Sequence, residues 1–113
     1  MPRERPTDLL RDILEFIDKA SGWAVAPEAM TDEKTLYAVL HALQYIGEAV
    51  GRLPPEVTSL APGVPWRKIQ GMRNLIAHDY AGIDSEIVWK TVQEWLPELK
   101  AAVTSLLIQL SRT

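Results

Sequence analysis

Cysteine is absent from this chain of 113 residues, and histidine occurs only twice, at positions 41 and 78. The first absence excludes a disulfide framework and a thiolate zinc site. The second leaves too few imidazoles for an all-histidine metal centre, so no bound metal and no cofactor are expected. No apolar run is long enough to span a bilayer, and Met1-Pro2-Arg3-Glu4-Arg5-Pro6 contains no apolar leader core. The expectation is a protein of the cytoplasm with no membrane association. A surplus of positive charge is missing too. Twelve Lys and Arg stand against fifteen Asp and Glu, a formal net charge of -3. That argues against a protein that coats nucleic acid through a broad basic face, although not against an enzyme that grips a short stretch of RNA. There is no glycine-rich phosphate loop and there are no paired carboxylates at metal-ligand spacing. A nucleoside-triphosphate enzyme and a two-metal nuclease are therefore not expected.

What is present fits one helical domain over residues 1–113, with an ordered core from about 7 to 111. The hydrophobic fraction is 47% and the charged fraction 24%, ordinary values for a globular chain. Its length suffices to bury roughly two-thirds of the unfolded surface. Apolar residues recur at helical spacing throughout, and no period-two strand or internal repeat is seen. A first helix is expected after Thr7, with Leu9, Ile13, Phe16, Ile17 and Ala20 on one face, stopping before Gly22. The segment from Gly22 to Met30 reads as a loop. Thr31 or Asp32 can cap a second helix carrying Leu36, Leu40, Leu43, Ile46 and Val50. From Leu53 to Pro65, four prolines and one glycine form a connector. Pro65 suits the first position of a third helix, which runs through Trp66, Ile69, Met72, Arg73 and Ile76 to His78, with Ala81-Gly82 as a stop. Asp84 or Ser85 can cap a fourth helix containing Ile87, Val88, Val92 and Trp95. Pro97 then either kinks it or opens a fifth helix over 98–111, with Val103, Leu106, Leu107 and Leu110 inward. The fold class is all-α, a four- to five-helix bundle.

The densest chemistry lies in Met72-Arg73-Asn74-Leu75-Ile76-Ala77-His78-Asp79-Tyr80. Arg73, His78 and Tyr80 stand in an R-x4-H-x-Y spacing. An arginine offers a fixed fork of donors for a phosphate, and a histidine changes protonation near neutral pH. The pair is the minimum equipment for cleaving a phosphodiester without a metal. On a regular helix, however, residues five apart are separated by about 140°, so Arg73 and His78 do not face one another directly. Either the helix loosens near His78, or Arg73 reaches around. Asn74 and His78, four apart, share a face. The competing reading is structural: His78 closes a helix C-terminus, favoured there by the dipole, and Arg73 pairs with a carboxylate. Asp79 either holds the imidazole or is solvated. Tyr80 either stacks on a base or covers the helix end.

Two further features bear on this segment. From Gly63 to Tyr80 there are three cations, Arg67, Lys68 and Arg73, against the single acid Asp79, a basic island on an acidic chain. His41, Gln44, Tyr45, Glu48 and Arg52 form a polar stripe on the second helix. It is either a solvated face or, beside Gly47, the wall of a cleft or subunit contact. The four tryptophans (23, 66, 89 and 95) read as core or interface anchors rather than cofactor contacts.

Ile46-Gly47-Glu48-Ala49, Pro65-Trp66, Met72-Arg73-Asn74 with Ala77-His78-Asp79-Tyr80, and Trp89 with Leu96-Pro97 occur in an order that resembles the HepT-like proteins of the HEPN superfamily. The resemblance runs from about residue 7 to residue 110, and the R-x4-H-x-Y positions are intact. It implies a HEPN-type bundle that forms a homodimer or a larger assembly, with motif residues of two subunits lining one cleft. It implies a metal-independent ribonuclease acting as the toxin of a type VII-like toxin–antitoxin pair, with RNA as substrate. Arg73 and His78 would then be catalytic, supported by Asn74, Asp79 and Glu48. The implied antitoxin is a small nucleotidyltransferase that silences the toxin by adenylylating Tyr80, leaving a nucleotide phosphate on the protein. Two other classes stay open: a non-catalytic binding partner or adaptor of such a nucleotidyltransferase, and a helical dimer with a structural role.

Overall fold

The computed structural model describes residues 5–78 and 82–112, with the side chains of all of these except residues 75, 77 and 78. Helix α1 (Pro6–Trp23) opens on a proline, whose missing N–H would have had no intrahelical partner anyway. Its buried face is Leu9, Leu10, Ile13, Ile17 and Ala20. The helix passes through Gly22 rather than stopping before it. A side chain at Gly22 would meet nothing within 4 Å, so no contact forces a break there, and the Ala24 N–H still reaches the Ala20 carbonyl at 2.9 Å. The helix ends at Trp23, with Ala24 already out of helical geometry at φ -90°, ψ 60°, and Ala26 is extended at φ -154°, ψ 154°, as the residue before a proline tends to be. A single 3₁₀ turn, Pro27–Thr31, then buries Met30, so part of the expected loop is ordered.

Helix α2 (Glu33–Arg52) is the centre of the bundle, packing on α1 along one side and on α4 along another. Asp32, not Thr31, is its cap. The carboxylate oxygen Oδ2 accepts from the Thr35 N–H at 3.0 Å and from the Thr35 hydroxyl at 2.7 Å. The proline-rich connector holds one short helix, α3 (Pro55–Thr58), which buries Val57. The connector is tied to the start of the next helix by Trp66, whose Nε1–H is shared between the carbonyls of Thr58 (3.1 Å) and Ala61 (3.0 Å).

Helix α4 (Trp66–His78) starts one residue later than expected. Pro65 precedes it, and the Pro65 carbonyl accepts from the Ile69 N–H at 3.1 Å. Asp84 caps the last stretch through the Glu86 N–H at 2.9 Å. That stretch is continuous: α5 (Ser85–Lys90), a π turn (Thr91–Trp95) and α6 (Leu96–Ser111). Pro97 has no N–H for the carbonyl four residues back, and its ring would crowd that carbonyl in a regular helix. The widened turn just ahead of it accommodates both defects. Pro97 thus neither ends the helix nor starts a separate one. Along this stretch Val88, Val92, Leu96 and Leu99 are buried, while Trp95 is 40% exposed and Ile87 59% exposed.

The core is formed by Leu10, Ile13 and Ile17 of α1, Leu40 and Ile46 of α2, and Leu96, Val103 and Leu106 of the last helix. Among the described residues there is no strand, no polar side chain is buried, and no helix is long and apolar enough to cross a membrane.

Two glycines make opposite predictions. At Gly47, a Cβ would lie 2.9 Å from the Ile69 carbonyl oxygen, a backbone atom that cannot swing aside. At Gly71 it would meet nothing within 4 Å. Overpacking of this kind costs about 1–3 kcal/mol and exceeds or cancels the helical gain of about 1 kcal/mol on replacing glycine by alanine. Urea titration should therefore find Gly71→Ala stabilised by roughly 1 kcal/mol and Gly47→Ala unimproved or weakened. A stabilised Gly47→Ala would show that α2 and α4 are not in this contact.

A second expectation concerns pH. The bonds from the Thr35 hydroxyl and N–H hold the Asp32 carboxyl below its usual range. A carboxyl with a depressed folded-state pKa contributes stability above its unfolded value, about 3.9, and loses it as pH falls through the folded value. The urea midpoint of Asp32→Ala should lie below that of the wild type at neutral pH. The difference should close on acidification below the ordinary aspartate range. A gap independent of pH would reject the charge-based cap.

Candidate functional site

The site is built on α4, and the position of α4 is set by α2. Gly47 leaves room for the backbone of α4 to come into contact: its Cβ position is 2.9 Å from the Ile69 carbonyl oxygen, 3.3 Å from the Arg73 nitrogen and 3.4 Å from the Arg73 Cβ. One turn later, a Cβ on Gly51 would meet the Gln70 side chain at 2.9 Å. The expectation that another backbone approaches at Gly47 is met, and the backbone is that of the motif helix. Ile69 and Ile76 are buried and Met72 half-buried, which turns that face of α4 inward. Arg67, Lys68, Gly71, Arg73 and Asn74 are exposed.

The polar stripe on α2 divides into separate structural jobs. Tyr45 turns toward α1, where its ring stacks on Phe16 with centroids 4.2 Å apart and its hydroxyl donates to Asp12 Oδ2 at 3.2 Å. Glu48 is half-buried and accepts from Arg52 Nη2 at 3.1 Å. His41 is exposed. The stripe is not one continuous cleft wall. Its contribution to the motif is Gly47, directly beneath the start of the Arg73 side chain, with Glu48 adjacent in sequence.

Outside α4, five of the described cations pair with carboxylates: Arg11 with Asp8, Lys19 with Glu15, Arg52 with Glu48, Lys90 with Glu86, and Lys100 of α6 with Asp18 of α1, while Arg5, Lys34 and Arg112 do not. Arg67, Lys68 and Arg73 form no ion pair with any described residue. The alternative in which Arg73 serves as half of a salt bridge is not what the described residues show. α4 has three exposed cations and no acid between Trp66 and His78.

The α4 backbone is helical through His78, so no loosening precedes that residue. Arg73 and His78 remain five positions apart on one helix, about 140° around it. The His78 side chain, Asp79 and Tyr80 lie outside the described residues. Of the expected site, Arg73 and Asn74 are therefore located on an open face, and Glu48 is located one residue from the α2–α4 contact. Among the described residues no group of three His, Cys, Asp or Glu side chains is placed to hold a metal. Sequence reasoning placed Trp95 among the residues of a regular helix. It instead closes the π turn ahead of Pro97, 40% exposed and near the first turn of α4, and Pro97 was the available signal that the helix there is not regular.

Comparison with known proteins bears on residues 9–106, which match a family model described as "Ribonuclease HepT-like". A Thermococcus cleftensis protein named "Probable ribonuclease HepT" is 38% identical over 96 residues, covering 82% of this chain and 87% of its own length. A Methanocaldococcus jannaschii protein named "Putative RNase" is 34% identical over 103 residues, with coverages of 88% and 85%. A Caldanaerobacter subterraneus protein with the same style of name is 32% identical over 106 residues and 94% of both chains. No solved structure matches. The family model spans nearly the whole bundle, from α1 into α6, and includes the open cationic helix. This chain belongs to the HepT-like family, and its all-helical fold is the HEPN-type bundle that the motif order led one to expect.

Proposed function

We propose that this protein is a metal-independent endoribonuclease of the cytoplasm, the toxin of a type VII-like toxin–antitoxin pair. Its partner in this reading is a small nucleotidyltransferase that silences it by adenylylating Tyr80. The observation that carries the ribonuclease reading is Arg73, exposed and without a carboxylate partner among the described residues. It lies five positions before His78 in a chain matched to ribonuclease HepT-like proteins over residues 9–106.

In the proposed reaction the 2′-hydroxyl beside the scissile phosphate attacks phosphorus. The bond from phosphorus to the 5′-oxygen breaks, leaving a 2′,3′-cyclic phosphate and a 5′-hydroxyl. A histidine takes the proton from the 2′-hydroxyl and a protonated histidine supplies one to the leaving 5′-oxygen. Arg73 holds the non-bridging oxygens and stabilises the charge that builds on them. Asn74 orients the site, and Asp79 holds the imidazole of its neighbour. Glu48, fixed by Arg52, supports the α2 segment on which Arg73 rests. One regular helix does not aim Arg73 and His78 at one phosphate, and a homodimer answers this difficulty. A cleft between two copies collects an arginine from one and a histidine from the other, and gives one imidazole as base and one as acid.

Adenylylation of Tyr80 would put a bulky anion two residues from His78. Repulsion of the RNA phosphate and occlusion both oppose substrate binding.

Single-stranded RNA incubated with the wild type in excess chelator should be cut to fragments ending in 2′,3′-cyclic phosphate. His78→Ala should lose roughly 10²–10⁴-fold in rate with its helical circular dichroism unchanged, and Arg73→Ala should also fail. Cleavage by His78→Ala at the wild-type rate would sink the catalytic assignment. Wild type that binds the nucleotidyltransferase and never cleaves RNA would make the protein an adaptor. For regulation, intact mass after co-expression with the nucleotidyltransferase should show an added AMP that disappears in Tyr80→Phe. An adduct that persists in Tyr80→Phe would move the modification to another residue.

A further inference from the structure

Between the first turn of α4 and the junction of the π turn with α6 lies an open cavity of about 380 Å³ that the proposed chemistry does not use. Its lining brings Val64 and Pro65 of the connector and Lys68 of α4 together with Trp95 and Glu98. Its walls are held in place. The Val64 N–H donates to the Ala61 carbonyl at 3.2 Å, the Trp66 N–H to the Val64 carbonyl at 2.8 Å, and the Trp66 indole to Thr58 and Ala61. Trp95 is brought here by the π turn, and π turns often mark functional positions.

The chemistry of the lining is mixed in an informative way. Lys68 and Glu98 line the same cavity, yet neither forms an ion pair with the other or with any described residue. Beside them is a 40% exposed indole. An aromatic face takes the π-face of an unpaired base, an ammonium takes a phosphate oxygen, and a carboxylate accepts from an exocyclic base amine. Together they match the face and the edge of a base and the phosphate beside it. Lys68 is also five residues from Arg73 on the same helix, about 7.5 Å of axial rise and about 140° around it, so the two cations flank the inward face of α4. The exposed side that joins them carries Gly71, which adds no side chain to the surface a strand would cross.

We infer that this cavity is a subsite for one unpaired nucleotide of single-stranded RNA, with its base stacked on Trp95 and its phosphate on Lys68. The strand then crosses the exposed side of α4 obliquely to Arg73. The inference rests on the ribonuclease reading and deepens it, because it names a group that binds substrate away from the scissile phosphate. Trp95 and Lys68 are binding residues here, not catalytic ones.

The test measures affinity without turnover. A nested series of fluorescein-labelled oligoribonucleotides is titrated onto the full chain carrying His78→Ala, alone and with Trp95→Ala, Trp95→Phe or Lys68→Ala. Circular dichroism checks that each variant is folded. On the longer oligonucleotides Trp95→Ala should weaken binding by about 5- to 100-fold, and Trp95→Phe should keep most of the affinity. Lys68→Ala should lower the slope of log affinity against log salt by about 0.7, the value of one phosphate contact on a single strand, whereas Trp95→Ala should leave that slope unchanged. Below a threshold length, where no nucleotide reaches the cavity, all variants should bind alike. If Trp95→Ala and Lys68→Ala bind every length as tightly as the parent while Arg73→Ala does not, the subsite is wrong and the ribonuclease reading stands. If the parent binds no RNA and the wild type cleaves none, both fall.

Discussion

The distance between the α2 and α4 backbones is the constraint on which the rest of this structure depends. At Gly47 the missing side chain lets the Ile69 carbonyl and the Arg73 amide nitrogen come within 3.3 Å of where a Cβ would be. Contact that close fixes the rotation of α4 about its own axis, because only one face can lie against a backbone. With Ile69 and Ile76 inward, the polar positions of α4 have to face outward. The placement of Arg73 and Asn74 on an open surface is thus a consequence of a residue on another helix. A glycine in a helix interior lowers stability by roughly 1 kcal/mol relative to alanine, and the close packing at Gly47 offsets that loss.

The second organising effect is charge segregation. Exposed ion pairs contribute little individually, typically about 0–1 kcal/mol, so the salt bridges on α1, α2, α5 and between α6 and α1 do not hold the bundle together. Their effect is to neutralise most of the cations outside α4. On α4 itself, three exposed cations with no acid between Trp66 and His78 stand unpaired among the described residues, on a chain of net charge -3. A uniform basic surface would attract any polyanion, whereas a confined one favours an anionic strand on one helix.

Helical periodicity alone is enough to read the order of the main helices, two candidate residues for each of the caps at Asp32 and Asp84, and most of the buried positions, since these depend on residues within a few positions of one another. Where the reading departed from the structure, the cause was usually a competition that local patterns do not settle. Gly22 permits a stop but does not impose one, and the helix runs one residue past it to Trp23 before Ala24 leaves helical geometry. Pro97 offers a kink or a new start, and the helix continues through it with a widened turn just ahead, in which Trp95 is 40% exposed. Tyr45 and Glu48 share a stripe by spacing, yet one stacks on Phe16 and the other pairs with Arg52, because α1 covers only part of that stripe.

The chain's own residues determine its fold class, its lack of cysteine chemistry and the motif that identifies its family, because these depend on residue types and their order. Which cations are free is a different kind of property. Arg73 reads equally well as half of a salt bridge until the positions of the surrounding carboxylates are known, and only the packing of α4 on Gly47 leaves it unpaired among the described residues. Trp95 likewise becomes a surface indole beside Lys68 through the meeting of two distant segments. Spacing along a chain limits which side chains share a helix face; packing between helices decides which face meets solvent and what stands opposite.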